Sequence, residues 1–137
     1  MSTTIRNSIS KKNKWYIGKH RYLELKHFCL QYPEWKEEYH RLDRPLRGYR
    51  SDMEMINNPF SDPTGDTAIR RAKLFHQMKL VEQAAMDADP ELADYILLAV
   101  TNGVTYEFLE TRQDIPCCRQ TYYDRYRRFF WCLSKER

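Results

Sequence analysis

Four glycines and six prolines are all that punctuate these 137 residues, and apolar runs such as Tyr95–Val100 are far too short to cross a bilayer. The opening MSTTIRNSISKKNKW has no apolar signal core, so a cytoplasmic location without a membrane partner is expected. No Gly-rich phosphate loop, nucleophile elbow or H-E-x-x-H motif occurs, and the chain does not read as an enzyme. Cys29, Cys117, Cys118 and Cys132 make no C-x-x-C pair, and the histidine nearest the late cluster is His76. A zinc site therefore lacks its usual ligand spacing, and the four read as reduced thiols used as small apolar residues. His20, Glu24 and His27 could share a helical face as an H-x3-E-x2-H trio, but the basic residues between them argue against a metal site. No cofactor and no metal are expected. No segment alternates with period two for long enough to make a strand, and no repeat occurs at 20–50-residue spacing. The expected fold class is all-α.

What the chain does have is aromatic residues and unevenly placed charge. Residues 1–50 hold twelve Lys/Arg against five Asp/Glu, whereas residues 51–66 carry four acidic and no basic side chains. Residues 67–111 are mildly acidic, and residues 112–137 turn basic again, with seven Lys/Arg against three Asp/Glu. Basic ends around an acidic middle suggest two surfaces able to meet a polyanion.

Residues 1–14 show no periodicity and read as a basic, disordered arm. Residues 15–60 read as an N-terminal helical region. Helical spacing runs from Trp15, with Tyr16, Leu23, Phe28 and Leu30 as its apolar positions. A second helix starts near Pro33 with Trp35, Tyr39 and Leu42 on one side, and Pro45 and Gly48 close it. Residues 61–137 read as a helical domain. In SDPTGDTA, Asp62 or Asp66 can cap a helix that Pro63 begins and that runs to about Ala88. Its expected buried positions are Ile69, Ala72, Phe75 (or His76), Met78 and Val81. Asp89 and Pro90 start the next helix, which carries Tyr95, Leu98 and Ala99 as its stripe and stops at Gly103. Thr105 can cap a short helix, YEFLET, with Phe108 and Leu109 pointing inward, and a turn at Arg112–Asp114 leads into a long helix from about residue 116.

A short helix, a tight turn and a second helix make a helix-turn-helix pattern at about residues 105–135. With Tyr122 at the centre of a helical wheel, Ile115, Cys118, Tyr126, Phe129 and Leu133 fall within about 40° of it. Gln120, Asp124 and Arg127 face the other way, Thr121 and Tyr123 flank the stripe, and Arg119 can extend outward. Gln pairs with adenine edges, Arg with guanine or phosphate, and the Thr methyl with thymine, so these positions are candidates for the major groove of duplex DNA. Arg125, Arg127 and Arg128 follow where phosphate contacts are expected. Asp124 is expected to pair with Arg127 or Arg128, or to accept from a cytosine amino group. Trp131 lies opposite the stripe and Phe130 at its margin, so the two should dock on the N-terminal helices or on a second subunit.

LQYPEWK, SDPTGDTA and ETRQDIPCCRQTYYDRYRRFFWCLSK together resemble the ArpU/RinA-type phage transcriptional regulators of Gram-positive bacteria. The resemblance covers most of residues 20–135. It implies a helical N-terminal hairpin, a C-terminal sigma-region-4-like helix-turn-helix, and control of phage or prophage genes in a bacterial cell. Matched by position, Gln120, Thr121, Tyr123, Arg127 and Arg128 take the DNA-contact role. IPCC replaces the usual Gly-Ile/Val-Ser entry, so Asp114 must serve as the cap. TYEFLET also lacks the usual small alanine, which calls for a wider helix crossing. The implied partners are double-stranded DNA and, through the N-terminal helices, RNA polymerase or a second copy of the chain. The alternative reading is a phage assembly or packaging adaptor.

Overall fold

A computed structural model describes residues 13–43 and 63–137. Among these residues there are six helices and no strand: α1 (Lys19–Leu30), α2 (Tyr32–Asp43), α3 (Pro63–Ala88), α4 (Ala93–Asn102), α5 (Tyr106–Arg112) and α6 (Arg119–Glu136). The fold is all-α. Residues 1–12 of the expected arm, the Asp62 cap and the closing Pro45 and Gly48 lie outside the described residues.

Helical spacing begins at Trp15, but helix begins four residues later. Trp15 sits in a turn: its amide donates to Asn13 Oδ1 at 2.8 Å, and the Tyr16 amide donates to the Asn13 carbonyl at 3.0 Å. The buried side of α1 is Tyr22, Leu25, Phe28 and Cys29, not the expected Tyr16, Leu23 and Leu30, which are only half-buried. The buried residues stand at i, i+3, i+6 and i+7.

The chain divides into two units, residues 1–33 with 79–137, and residues 34–78. In the larger unit, α1 packs on α4 and α6, and α4 packs on α5 and α6. Its core draws Leu25 and Phe28 from α1, Val81 and Ala85 from α3, Ile96 and Val100 from α4, Leu109 from α5, and Phe129, Phe130 and Leu133 from α6. Burying each large apolar side chain contributes about 1.5–3 kcal/mol, which outweighs the weak helix propensity of the aromatic residues in α6.

In the smaller unit, Trp35, Leu74 and Met78 are buried. Arg70 grips Glu38 in a two-pronged pair at 2.8 and 2.9 Å, and the Arg71 guanidinium lies 3.9 Å from the Tyr39 ring centre. The expected seam of α3 is corrected here: Ile69 is 58% exposed, Phe75 is 45% exposed, and Ala72 is exposed. Leu74, Met78, Val81, Ala85 and Ala88 form the buried row, alternating four- and three-residue steps along one side. That row continues through the second half of the helix and keeps Met78 and Val81 of the expected seam, whereas Ile69, Ala72 and Phe75 fall outside it.

Gly103 ends α4. Its φ of 69° is left-handed, and its amide closes the last turn on the Ala99 carbonyl at 2.8 Å. A Cβ at this position would meet Leu30 Cδ2 at 3.8 Å, an ordinary contact, so backbone strain and not crowding favours glycine. α4 starts later than the expected Pro90. Residues 90–92 form a turn in which Asp89 Oδ1 accepts from the Glu91 amide at 2.9 Å, and the helix proper starts at Ala93. Its buried side is Ala93, Ile96, Ala99 and Val100, with Tyr95 and Leu98 half-buried.

Candidate nucleic-acid interface

Thr105 opens α5 as expected, its side chain accepting from the Phe108 amide at 3.2 Å. The inward residues are Tyr106 and Leu109; Phe108, expected inside, is 39% exposed. Tyr106 takes that place because its hydroxyl donates to the Cys117 carbonyl at 2.7 Å, tying α5 to the approach to α6.

The turn between α5 and α6 is built on the Leu109 carbonyl, which accepts from Gln113 at 3.0 Å and Ile115 at 3.2 Å. Asp114 adopts a left-handed φ of 52° so that Ile115 can fold back, and Ile115 is buried at 8% exposure. Asp114 therefore makes the turn and does not cap the helix. α6 begins at Arg119 and not near residue 116, with Cys118 in the N-cap position. Cys118 Sγ lies 3.4 Å from Thr121 Oγ1, and this contact holds the thiol below its ordinary range. Cys118 is also exposed, unlike the apolar role expected of all four cysteines; only Cys29 is fully buried.

The stripe of α6 is Tyr122, Phe129, Phe130 and Leu133, all under 3% exposed. Tyr122 meets Tyr106 at 5.4 Å between ring centres, and Arg119 lies 5.1 Å from the Tyr106 ring and forms an ion pair with Glu107. These ring contacts join α5 to α6.

Phe130 and Trp131 both dock within the chain. Phe130 meets Tyr22 edge-on at 5.0 Å, and Trp131 meets Trp15 at 5.0 Å. Of the two expected docking places, the N-terminal residues fill this role, and Phe130 is left with 2% of its surface exposed. Trp15 thereby covers the side of α6 opposite its core stripe at the level of Trp131.

The outward positions differ in how free they are. Gln120 is exposed, and Thr121 and Tyr123 are partly exposed. Arg119 is exposed but held by Glu107, which keeps the Glu107 carboxyl below its usual range. Arg125 is tied to Asp89 at 3.0 Å and to Asp124, which corrects one expectation: Asp124 pairs with Arg125 and not with Arg127 or Arg128. Arg127 and Arg128 are partly exposed, each with a buried Nε that has no hydrogen-bond partner among the described residues. The Arg128 guanidinium lies 5.2 Å from the Trp15 ring centre.

Sequence reading missed Glu107, Asp89 and Trp15 as partners of this surface. Their distance along the chain hides them, although each is the complementary charge or ring that an arginine would seek. Among the described residues no group of three His, Cys, Asp or Glu side chains could hold a metal ion, and Glu24 of the considered trio pairs with Arg21 at 2.8 Å. No helix among the described residues is long and apolar enough to cross a membrane. No family model, no characterised protein and no solved structure gives a significant match to this chain.

Proposed function

We propose that this chain is a sequence-specific, double-stranded DNA-binding regulator of transcription, of phage or prophage origin. In this reading α5 and α6 form a sigma-like helix-turn-helix, and the first two turns of α6 enter the major groove. One observation carries it: α6 buries Tyr122, Phe129, Phe130 and Leu133 while Arg119, Gln120, Thr121, Tyr123, Arg127 and Arg128 keep exposed surface on its other sides. Gln120 and Thr121 would read base edges. Arg127 and Arg128 would meet phosphates, and Arg119 would do so after exchanging Glu107 for a phosphate oxygen. The N-terminal helices would contact RNA polymerase or a second copy of the chain.

A selection from a random duplex library, followed by anisotropy titrations, tests the reading. Arg127→Ala should weaken binding to all duplexes and reduce the salt slope by about one phosphate. Gln120→Ala should relax preference at one base pair, by about 1–3 kcal/mol. Equal binding by the wild type and both variants would remove α6 from the interface.

A protein-interaction module, such as a phage assembly or packaging adaptor, is the second reading. Ile69 and Phe75 of the smaller unit support it, being 58% and 45% exposed. An apolar interface would respond little to salt, whereas DNA binding through several phosphates would fall steeply.

A further inference from the structure

A cleft of about 260 Å³ opens between α1, α4 and α6, and its chemistry is unlike that of the outer face of α6. Its walls are Leu30, Val100, Val104 and the rings of Tyr106, Tyr122 and Tyr126, and Lys26 brings a cation to them. A cavity of about 150 Å³ is enough for benzene, and sites for drug-sized molecules begin at about 300 Å³. The space therefore suits a single ring bearing one small substituent.

The tyrosine hydroxyls divide unequally. Tyr106 donates to the Cys117 carbonyl at 2.7 Å, and Tyr126 faces the Tyr22 hydroxyl at 3.5 Å. Tyr122 is 1% exposed and lines the cleft, and no protein side chain hydrogen-bonds its hydroxyl. A hydroxyl that opens on the cleft can donate to a ligand acceptor in place of water. Burial also raises the Tyr122 pKa, so the group remains a protonated donor at neutral pH.

We propose that this cleft binds a small single-ring aromatic acid, its ring among Tyr106, Tyr122 and Tyr126, its carboxylate accepting from the Tyr122 hydroxyl and facing the Lys26 ammonium. Ring-on-ring contact and apolar walls supply the attraction for the ring, and the two donors select an anion over a neutral ring. The cleft would hold such a ligand whether or not α6 meets nucleic acid.

Calorimetry and thermal shift on the full chain with benzoate test this, with benzyl alcohol as the neutral single ring. Benzoate should bind saturably at one site and raise the melting temperature, and benzyl alcohol should bind at least about tenfold more weakly. Tyr122→Phe keeps the ring and removes only the hydroxyl, so the variant should fold, and it should bind benzoate roughly 10–100-fold more weakly. Lys26→Met should also weaken benzoate while leaving benzyl alcohol unchanged. No saturable benzoate binding, equal binding of the neutral ring, or benzoate affinity unchanged in both variants would overturn the proposal.

Discussion

The two ends of α6 hold positive charge by different means. Near its start, carboxylates take the arginines: Arg119 meets Glu107, and Arg125 meets Asp89 at 3.0 Å together with Asp124. Near its end, aromatic faces take two cations, Arg128 at 5.2 Å from the Trp15 ring and Lys135 at 4.1 Å from the Trp131 ring, while Arg137, 4.1 Å from the Phe28 ring, also pairs with Glu24 at 3.6 Å. A carboxylate cancels the field of its arginine, whereas a ring face steadies a cation and leaves its charge intact. If α6 meets a duplex as proposed, electrostatic attraction should come more from the later turns, and base recognition from Gln120 and Thr121 in the earlier ones.

The largest break in this comparison comes from beneath the helix. Phe130→Ala should destabilise the fold by about 3–5 kcal/mol, measured by urea denaturation, because the ring is 2% exposed and Tyr22, Tyr126 and Phe129 surround it. A loss below about 1 kcal/mol would mean that the α1–α6 contact is not the anchor described.

Alkali should come next. Burial raises the pKa of Tyr22, Tyr122 and Tyr126 above the ordinary value. A raised folded-state pKa means that the folded chain keeps protons the unfolded chain gives up. The associated stability is full below about pH 10 and is lost as pH rises toward the folded values. Each such tyrosine should cost up to about 1.4 kcal/mol per pH unit above pH 10, followed by tyrosinate absorbance alongside circular dichroism. Ionisation of all ten tyrosines before unfolding would show these rings to be more open than their burial indicates.

Smaller effects sharpen the contrast between the two ends. Asp89→Asn removes one partner of a partly exposed pair, and roughly 1 kcal/mol of stability should go with it. Glu107→Gln should scarcely alter stability but should strengthen duplex binding at low salt by freeing Arg119. An unchanged affinity would exclude Arg119 from any contact with the polyanion. Tyr22→Phe should be within about 0.5 kcal/mol of the wild type, since its hydroxyl faces that of Tyr126 at a long 3.5 Å.

Local chemistry was legible where neighbouring residues determine structure. Thr105 and Gly103 mark real helix ends, Pro63 stands at the first position of α3, and the spacing of Tyr122, Phe129 and Leu133 identifies the buried side of α6. What periodicity could not fix was the choice between competing stripes. In α3 the Leu74–Ala88 row displaced Ile69 and Phe75, and in α5 Tyr106 displaced Phe108 because its hydroxyl had a carbonyl to reach. The entry to α6 differs from its expectation for a related reason: Asp114 fits a cap by type, but the left-handed turn it makes carries the chain four further residues before Cys118 takes that position. The outward placement of Gln120 and Arg127 followed from the wheel, yet the partners of Arg119, Arg125 and Arg128 depended on folding together residues far apart in the chain.

The salt dependence of wild-type binding to a random-sequence duplex is the most direct measurement. If the uncancelled cations of α6 and its neighbours meet at least three phosphates, log affinity should fall linearly with log salt at a slope steeper than about −2.7. A flat dependence, or no association at low salt, would contradict a duplex-facing α6.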